Sequence, residues 1–565
     1  VGVSVGGTQR LTVGTSGVTV NGDLATTTSG TSNFVAGVNA GNSITSGGNY
    51  NVTVGDEAGT ALTVGGSNTA VGFDSLKADT KGSHSVAVGV GALYAQNFTS
   101  ATDAYNVAVG RSAGVAVTTG VRNTLIGGLS GAAMTTGDRN VAVGATSLDA
   151  CTTGQYNVAV GNDALTTLTS GARNTAVGLQ AGAAITTGSG NSFFGSDSGD
   201  ATTTGSNNTA VGYNALTANT TAGSNCALGA YALTANTTGT SNCAVGSSLV
   251  TNTTGTKNTS VGNNALYYNT TGYDNNAFGL STLQACTTGY NNSGFGGGGT
   301  LLAAALQSLT TGYRNCGFGN GAAGSTTTGA HNVAVGDAAL YTNSTGSDNV
   351  AVGQGSLLAN TTASLNVGVG YNAGIALTST SNNTFIGANA GNNIVTGSNN
   401  IMLGSGARGS ATNVSELVIG YDAVGKGNAT GLIYAPGGGA MYQATNASTW
   451  AQTSDVRLKK NIVNNDVGLA KINAIQVRNF DYKTAEEVES DGVLDSSQAV
   501  VKTGTQLGVI AQELELICPD CVTTESTGVK TVSVDNLHWH MLNAIKELSA
   551  TNDALAARIT TLEGV

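Results

Sequence analysis

The sequence has little charge, almost no proline and no long apolar run. Only 9% of its 565 residues are charged, and 2 prolines stand against 84 glycines. This composition differs from that of an ordinary enzyme, and glycine without a Gly-X-Y period excludes collagen. The regular supply of Val, Ile, Leu and Phe argues against simple disorder. These absences leave a repetitive all-β structure as the expected class.

The amount and distribution of charge limit the possible binding partners and indicate two different regions of the chain. A net charge of −11 and the lack of basic runs interleaved with aromatics exclude a nucleic-acid partner. No stretch reaches the roughly 18–20 apolar residues that span a bilayer, so we expect no membrane insertion. The chain begins at Val1 with neither initiator Met nor signal peptide, which leaves room for an upstream attachment region. Residues 451–565 hold 10 of the 21 basic and 16 of the 32 acidic residues, so a different region begins near residue 450.

Seven cysteines are present, an odd number. Cys518 and Cys521 form a Cys-Pro-Asp-Cys pair, but zinc needs four ligands and the sequence shows no second pair nearby. We therefore predict a structural role for them, with no metal and no cofactor. His538 and His540, which flank Trp539, are expected to pack or to cap a helix. We expect the cysteines inside the repeats to act as small apolar side chains, namely Cys151, Cys226, Cys243, Cys286 and Cys316.

An Asn-x-Ala-Val-Gly motif recurs along most of the chain. From Gly55 onward its glycines are mostly 17 residues apart. The exceptions are 16-residue steps into Gly262 and Gly420, a 21-residue step into Gly110 and a 23-residue step into Gly319. The copies after each insertion stay in phase, as expected when insertions are loops on a solenoid.

Each position of the repeat has a physical interpretation. The residue before the glycine is Val, Ile, Leu or Phe, and we expect it to face a core. The residue two before is usually Ala, which predicts a close neighbouring chain on the other strand face. Asn stands four residues before the glycine in almost every copy, which predicts a hydrogen-bonded amide ladder. About twenty coils at roughly 4.8 Å would form a rod on the order of 100 Å long. The alternative is an amyloid-like or disordered tract, against which the unbroken apolar phase argues.

The copies Asn208-Thr-Ala-Val-Gly212 and Asn332-Val-Ala-Val-Gly336 resemble the head repeats of trimeric autotransporter adhesins. The resemblance covers residues 51–420 and implies a trimeric parallel β-roll. We therefore predict an all-β shaft, a trimeric parallel β-solenoid of about 17-residue coils. Residues 1–50 would be an N-terminal β segment that continues the fibre, and residues 421–453 a neck.

The last 112 residues carry an ordered series of motifs. This series resembles the intramolecular chaperone domain of endosialidase-type tailspikes and tail fibres, over residues 454–565. The resemblance implies an α+β domain that trimerises, guides folding of the upstream fibre, and releases itself by cutting before a serine. The motifs are Ser454-Asp455-Val456-Arg457-Leu458-Lys459, Phe480-Asp481-Tyr482, Gly508 to Leu514, Val534-Asp535, and Ala544-Ile545-Lys546-Glu547-Leu548.

The resemblance assigns a role to each residue around the cut. Ser454 would be the nucleophile and Lys459 its general base, with Thr453–Ser454 as the scissile bond. Asp455 and Arg457 would shape the cleavage loop. A serine hydroxyl is a weak nucleophile near neutral pH, and a lysine whose pKa is lowered by burial can accept its proton. Because the bond lies in the same assembly, a high effective concentration replaces substrate binding and the serine endopeptidase turns over once. Ser and Lys five residues apart are common by chance, so this prediction depends on the ordered series.

The end of the chain has apolar residues spaced by alternating fours and threes. This spacing predicts a trimeric coiled coil at about 537–563. The alternative is an amphipathic helix that packs on its own domain. The seam residues are Met541, Ile545, Leu548, Asn552, Leu555, Ile559 and Leu562.

Together these features predict a virion tail-fibre protein for host attachment. Its partners would be two further copies in a homotrimer, a host receptor such as a glycan or outer-membrane component, and other virion tail proteins. The alternative is a cellular trimeric adhesin or surface filament that uses the same maturation domain. A glycan-degrading tailspike would need paired carboxylates, which the repeats lack, so we predict no enzymatic activity in the shaft. Candidate sugar contacts, with ordinary surface tyrosines as the alternative, are Tyr267, Tyr268, Tyr273, Tyr290 and Tyr313.

Overall fold

The chain divides into two units, Val1–Gln452 and Thr453–Val565. Short parallel strands, one in each coil, build most of the first unit. The computed structural model describes residues 2–5, 8–14, 17–20, 28–299, 302–435, 440–443, 456–465, 468–491, 500, 502, 504–525 and 528–564. A three-stranded antiparallel sheet precedes the coils, with strands Gly2–Val5, Thr8–Gly14 and Gly17–Val20.

The coils stack in a single parallel ladder in which each strand pairs in register with the next. This is the predicted parallel β-solenoid. At its end Gly431–Tyr434 pairs antiparallel with Ala440–Gln443. The ladder strands are Phe34–Ala36, Val52–Val54, Thr69–Val71, Val86–Val88, Val107–Val109, Thr124–Ile126, Val141–Val143, Val158–Val160, Thr175–Val177, Ser192–Phe194, Thr209–Val211, Cys226–Leu228, Cys243–Val245, Thr259–Val261, Asn276–Phe278, Ser293–Phe295, Cys316–Phe318, Val333–Val335, Val350–Val352, Val367–Val369, Thr384–Ile386, Ile401–Leu403, Leu417–Ile419 and Gly431–Tyr434.

The 21-residue step into Gly110 adds a local pairing beside the main ladder. In this longer coil Thr102–Asp103 pairs in parallel with Gly82–Ser83 of the coil before it. The main ladder continues in register across the insertion, since Val107–Val109 pairs with Val86–Val88. The insertion therefore lies outside the repeating core, as expected for a loop on a solenoid.

The two faces of each strand are the reverse of what we expected. In Val158–Val160 the central Ala159 is fully buried in the coil, while Val158 and Val160 are half-exposed. The prediction that the residue before the glycine faces the core is therefore wrong, and so is the assignment of the alanine face to a neighbouring chain. The reason is the width of the coil: Leu148 and Leu165 fill its interior from the opposite side and leave room for only a methyl group from the strand.

The core keeps its volume by exchanging large and small residues between positions. Where the central strand residue is Phe193 instead of Ala, glycine replaces the inward leucine in both flanking coils, at Gly182 and Gly199. A Cβ on Gly199 would lie 2.6 Å from the Phe193 ring. The same exchange places Phe385 between Gly374 and Gly391. Close packing thus allows one large side chain where the strand and the facing turn meet, from either the centre of the strand or the turn.

The predicted asparagine ladder is confirmed. The backbone N–H of Asn157 donates to Oδ1 of Asn140, 2.9 Å away, and Asn157 Oδ1 accepts in turn from the N–H of Asn174 at 3.0 Å. The Asn157 side-chain amide donates to the Gly171 carbonyl at 2.9 Å, in the turn of the next coil. Each buried amide therefore satisfies backbone groups that the short strands leave unpaired.

Ser85 is the one break in the regular ladder before Asn400, and a buried polar group repairs it. Asp79 accepts from the Gly82 N–H at 3.0 Å and from the Gln96 amide at 2.6 Å. Gln96 also donates to Ser85 and accepts from Asn106, where the ladder resumes. Burial raises the pKa of Asp79, because the charged carboxylate loses water there.

The repeat glycine is required by the approach of the next coil. Gly144 has φ +141°, and a Cβ on it would lie 2.4 Å from the Gly161 carbonyl oxygen. Gly161 stands in the same relation to Gly178, at 2.3 Å. Any larger residue would force neighbouring coils apart, which explains why this position does not vary while the strand residues do.

The repeat cysteines fall into two groups. Cys151 and Cys286 are buried, and burial raises their pKa values to about 11 and about 12, so they pack as the small apolar residues we expected. Cys226, Cys243 and Cys316 instead lie on the half-exposed face of their strands.

The second unit is a small α+β region. Its helices are α1 (Leu469–Ala474), α2 (Ala485–Asp491), α3 (Ala511–Ile517) and α4 (Val534–Leu562). The predicted α+β class is confirmed, whereas the trimer and the coiled coil stay predictions. Short 3₁₀ turns span Val456–Leu458 and Pro519–Cys521, and the antiparallel strand pairs are Arg478–Phe480 with Gln506–Gly508 and Val522–Thr524 with Lys530–Val532.

None of the helices in the described residues combines the length and apolar character needed to cross a membrane.

The exchange of volume within the core predicts a double-mutant result. Phe193→Ala should destabilise the shaft by about 3–5 kcal/mol through a cavity, and Gly199→Leu by about 1–3 kcal/mol through overpacking. The double variant should be more stable than Phe193→Ala alone, because the new leucine fills the cavity. Leu148 shows that leucine tolerates the positive φ of this position in the coil. Thermal unfolding followed by circular dichroism measures this.

The control combines Phe193→Ala with Gly374→Leu, a distant coil where the two effects should add. Additive effects in the Phe193–Gly199 pair as well would contradict the proposed exchange.

Candidate functional site

The segment after the predicted cut is described only in part. Val456–Leu458 forms a 3₁₀ turn, and the backbone N–H of Lys459 donates to the Val456 carbonyl at 3.1 Å. The side chains of Arg457 and Lys459 are exposed within the single chain.

The other predicted residues of the cleavage site, Thr453, Ser454 and Asp455, lie outside the described residues. The Ser454–Lys459 pair and the scissile bond therefore stay predictions, and so do the supporting roles of Asp455 and Arg457.

Apolar side chains of this segment lie in water within the single chain. Val456, Leu458, Ile462 and Val463 are between 65% and 84% exposed. Four such residues in eight positions form an apolar surface that the unit itself leaves uncovered.

The segment leads into a tight junction between α1 and α4. A Cβ on Gly468 would lie 2.3 Å from the backbone nitrogen of Ala544, so only glycine fits against α4 here. The Glu547 carboxylate accepts from the N–H of Gly468 at 2.6 Å and from that of Leu469 at 3.1 Å. Glu547 thus caps the start of α1 from another helix, which joins the first turn of α1 to α4.

The core of the unit is small. Among the described residues, Leu514, Cys518 and Cys521 form a buried cluster, against which Leu537 of α4 and Val522 pack. Cys518 and Cys521 are joined as a disulfide with their Cα atoms 5.4 Å apart.

Beside this core the structure brings together four side chains that can bind a metal. The donor atoms of Cys518, Asp520, Cys521 and His540 all lie within 4.8 Å of one another. His540 Nε2 donates to Asp520 Oδ2 at 2.7 Å, and Lys471 lies 3.5 Å from the other carboxylate oxygen. The hydrogen bond from His540 holds the pKa of Asp520 below its usual value, and the charge of Lys471 adds to this effect.

The second unit can be compared with known protein families. Residues 454–523 match the family model for the chaperone of endosialidase. A β-solenoid shaft followed by such a chaperone domain fits a tail fibre. The match supports a role of the chaperone domain in trimerisation and maturation, and the family implies self-cleaving peptidase activity. Among curated proteins, none matches the chain.

Sequence reasoning missed the meeting of His540 with the cysteines of the chaperone domain. It searched for a second ligand pair nearby in sequence, whereas His540 comes from α4, nineteen positions after Cys521. The sequence offered one signal, because His540 and Ala544 are four residues apart and therefore share a helical face. The structure shows that both are buried. A buried histidine on the face that packs against the core is directed towards whatever that core contains.

The tyrosines predicted as candidate sugar contacts make ring contacts with one another. Tyr290 stacks between Tyr273 and Tyr313, with both ring centroids 4.9 Å away and the planes within 6° of parallel. Stacking on both sides uses the ring faces that a sugar would need. Tyr267 and Tyr268 make an edge contact with each other at 4.9 Å.

The Glu547 contact predicts how the chaperone domain holds its first helix. Glu547→Ala should speed backbone hydrogen exchange in α1, because the N–H groups of Gly468 and Leu469 lose their acceptor, at a cost of about 1–3 kcal/mol for each. Exchange measured by mass spectrometry on the peptide that covers α1 checks this. The neighbouring exposed substitution Lys546→Ala should leave exchange unchanged, and equal exchange in both variants would contradict the capping role.

Proposed function

We propose that this chain is a homotrimeric tail-fibre protein of a virion. Its C-terminal domain guides the three chains together and then cuts itself off between Thr453 and Ser454. The shaft attaches the particle to a host receptor, a glycan or an outer-membrane component, and is held by other virion tail proteins. The observation that carries the proposal is the chaperone-of-endosialidase match after a solenoid with a row of partly exposed apolar side chains.

The outer apolar face supports association of the shaft. We call the residues before the repeat glycines, from Val71 to Leu403, the outer stripe. All of them are Val, Ile, Leu or Phe, and each is held at the same place on its coil by the in-register pairing. The most open copies, such as Val109 and Leu228, are 37% to 46% exposed. A continuous stripe of this kind along a whole shaft is a surface for a second copy of the same shaft.

The exposed seam of α4 supports association of the tail. The apolar seam residues Met541, Ile545, Leu548, Leu555, Ile559 and Leu562 are each between 44% and 83% exposed. They repeat with coiled-coil spacing, so they would pack against the same seam of other copies. Asn552 in the same seam is suited to control of register.

The proposed cleavage is an acyl transfer followed by hydrolysis. Oγ of Ser454 attacks the carbonyl carbon of Thr453 while Lys459 takes the hydroxyl proton. The C–N bond breaks, the amine of Ser454 is protonated, and an ester joins Thr453 to Ser454 Oγ. Water then hydrolyses the ester to give a carboxylate on Thr453 and a free hydroxyl on Ser454.

The exposed cleavage segment supports cutting after assembly. A lysine that serves as a base needs shelter from water, and Lys459 is exposed in the single chain. The apolar residues Val456, Leu458, Ile462 and Val463 form a surface that a neighbouring copy would cover. Assembly would then complete the site, so that only trimerised fibres release their chaperone.

The outer stripe predicts the effect of charge on assembly. Replacing Val143 and Val160 with Lys should convert trimers to monomers, since a buried unpaired ammonium costs several kcal/mol. Sedimentation velocity measures the change. The matched control replaces Thr136 and Thr153 with Lys. Both threonines are exposed in the same coils, so this variant should remain trimeric. Trimers in both variants would contradict the stripe as the interface.

The cleavage proposal predicts which substitutions stop the cut. Intact mass of the folded wild-type protein should show two fragments, one of which begins at Ser454. Ser454→Ala should remain whole because the nucleophile is gone. Lys459→Arg should also remain whole, because arginine keeps the positive charge but stays protonated and cannot act as a base.

The control is Lys483→Ala, which removes a lysine paired with Asp491 and twenty-nine positions after Ser454 in the sequence, and it should cleave normally. A wild-type chain that stays whole after folding would remove the peptidase assignment. Normal cleavage of Lys459→Arg would remove Lys459 as the base.

A further inference from the structure

The cluster of Cys518, Asp520, Cys521 and His540 has the properties of a built site. The two cysteines are fully buried and His540 is 3% exposed, while Asp520 lies at the surface. Three buried donors and one at the rim therefore lie within 4.8 Å of one another. Cys518, the Pro519–Cys521 turn that follows it and α4 supply these donors, so the cluster lies between two parts of the domain.

The donor set selects the metal. Two thiolates, an imidazole nitrogen and a carboxylate oxygen are ligands of tetrahedral Zn²⁺, with Zn–S of about 2.3 Å and Zn–N of about 2.0 Å. Such an ion holds its ligand atoms roughly 3–4 Å apart. Asp520 Oδ1 lies 3.2 Å from Cys518 Sγ, and all four donors lie within 4.8 Å of one another. Calcium and magnesium prefer oxygen ligands and would not use the thiolates.

Neighbouring groups hold the donors and leave a path for entry. Lys471 forms an ion pair with the carboxylate of Asp520, and the side chain of Asn536 donates to the Asp520 backbone carbonyl at 2.5 Å. A cleft of about 330 Å³, lined in part by Asp520, Trp539 and His540, opens beside the cluster. An ion can thus reach the site from the rim, where Asp520 is exposed.

We propose that Cys518, Asp520, Cys521 and His540 bind one Zn²⁺ per chain when the two cysteines are reduced. The thiols lose their protons to solvent on binding, and Nε2 of His540 exchanges its contact with Asp520 for one with the metal. The disulfide form holds no thiolates and does not bind. A dithiol reductant, which becomes a disulfide itself, converts one form to the other. The ion fastens the Pro519–Cys521 turn to α4 in a domain whose described apolar core is small.

Cobalt titration tests the site on the full-length protein. The chain is reduced with an excess of dithiol, freed of reductant and metal without oxygen, and its thiols are counted. Co²⁺ should then produce the intense visible bands of tetrahedral coordination and a thiolate-to-cobalt charge-transfer band. Zn²⁺ should abolish both bands at one equivalent per chain. Fully reduced protein that shows neither band overturns the proposal.

Substitutions locate the metal. His540→Ala should weaken Zn²⁺ binding by more than the roughly 10- to 100-fold that loss of a second-sphere partner costs. His538→Ala, an exposed histidine two residues away on the same helix, should bind as the wild type does. Equal affinities in these two variants would overturn the assignment of His540.

Two further variants separate loss of the metal from loss of the fold. Cys518→Ser should lose the charge-transfer band even though the cysteines of the shaft remain. Asp520→Asn, a change at the surface, should weaken binding while the helical circular dichroism persists. Full Co²⁺ binding by Cys518→Ser would show that the shaft cysteines bind the metal and would overturn the proposal.

Discussion

Every coil of the shaft must present its backbone to the next coil at the same height and in the same register. The parallel ladder does this with strands of only three residues, so most of each coil is turn. Successive turns are joined by backbone hydrogen bonds, such as that from the Thr152 N–H to the Thr169 carbonyl, and the buried asparagine amides satisfy further backbone groups. The repeat glycine allows the carbonyl of the next coil to approach. The 17-residue period, the amide ladder and the glycine row are therefore consequences of one stacking distance.

The same constraint limits what one chain can bury. The inward residues of the turns and the central residue of the strand already fill the interior of each coil, so the apolar residue before each repeat glycine is left partly exposed. The tail has a comparable excess, in the segment 456–463 and along α4. In both units a single chain leaves much of the apolar surface of these residues in contact with water. Association of copies gives such residues a physical purpose, which is why a domain that matches a folding chaperone suits this chain.

Periodic features were predictable because each is repeated many times in the sequence. The 17-residue step, the phase of the insertions and the Asn140–Asn157–Asn174 ladder all follow from counting. The direction of the strand faces was not predictable in this way. Alternation shows that Ala159 and Val160 lie on opposite faces but not which face is inside. Size suggested valine, whereas the interior already held Leu148 and Leu165 and could accept only alanine.

The sequence by itself determined that this protein is a solenoid followed by a different C-terminal domain. The reason is that every coil needs the same residues at the same positions, and that the motifs of the C-terminal domain are short and follow one another in order. Only the tertiary structure decided which face of each coil is buried, and that His540 of α4 reaches Asp520 beside Cys518 and Cys521. It also decided that Glu547 reaches back to the start of α1. Contacts between residues far apart in the chain depend on how helices and strands pack together, and a local sequence pattern does not specify that packing.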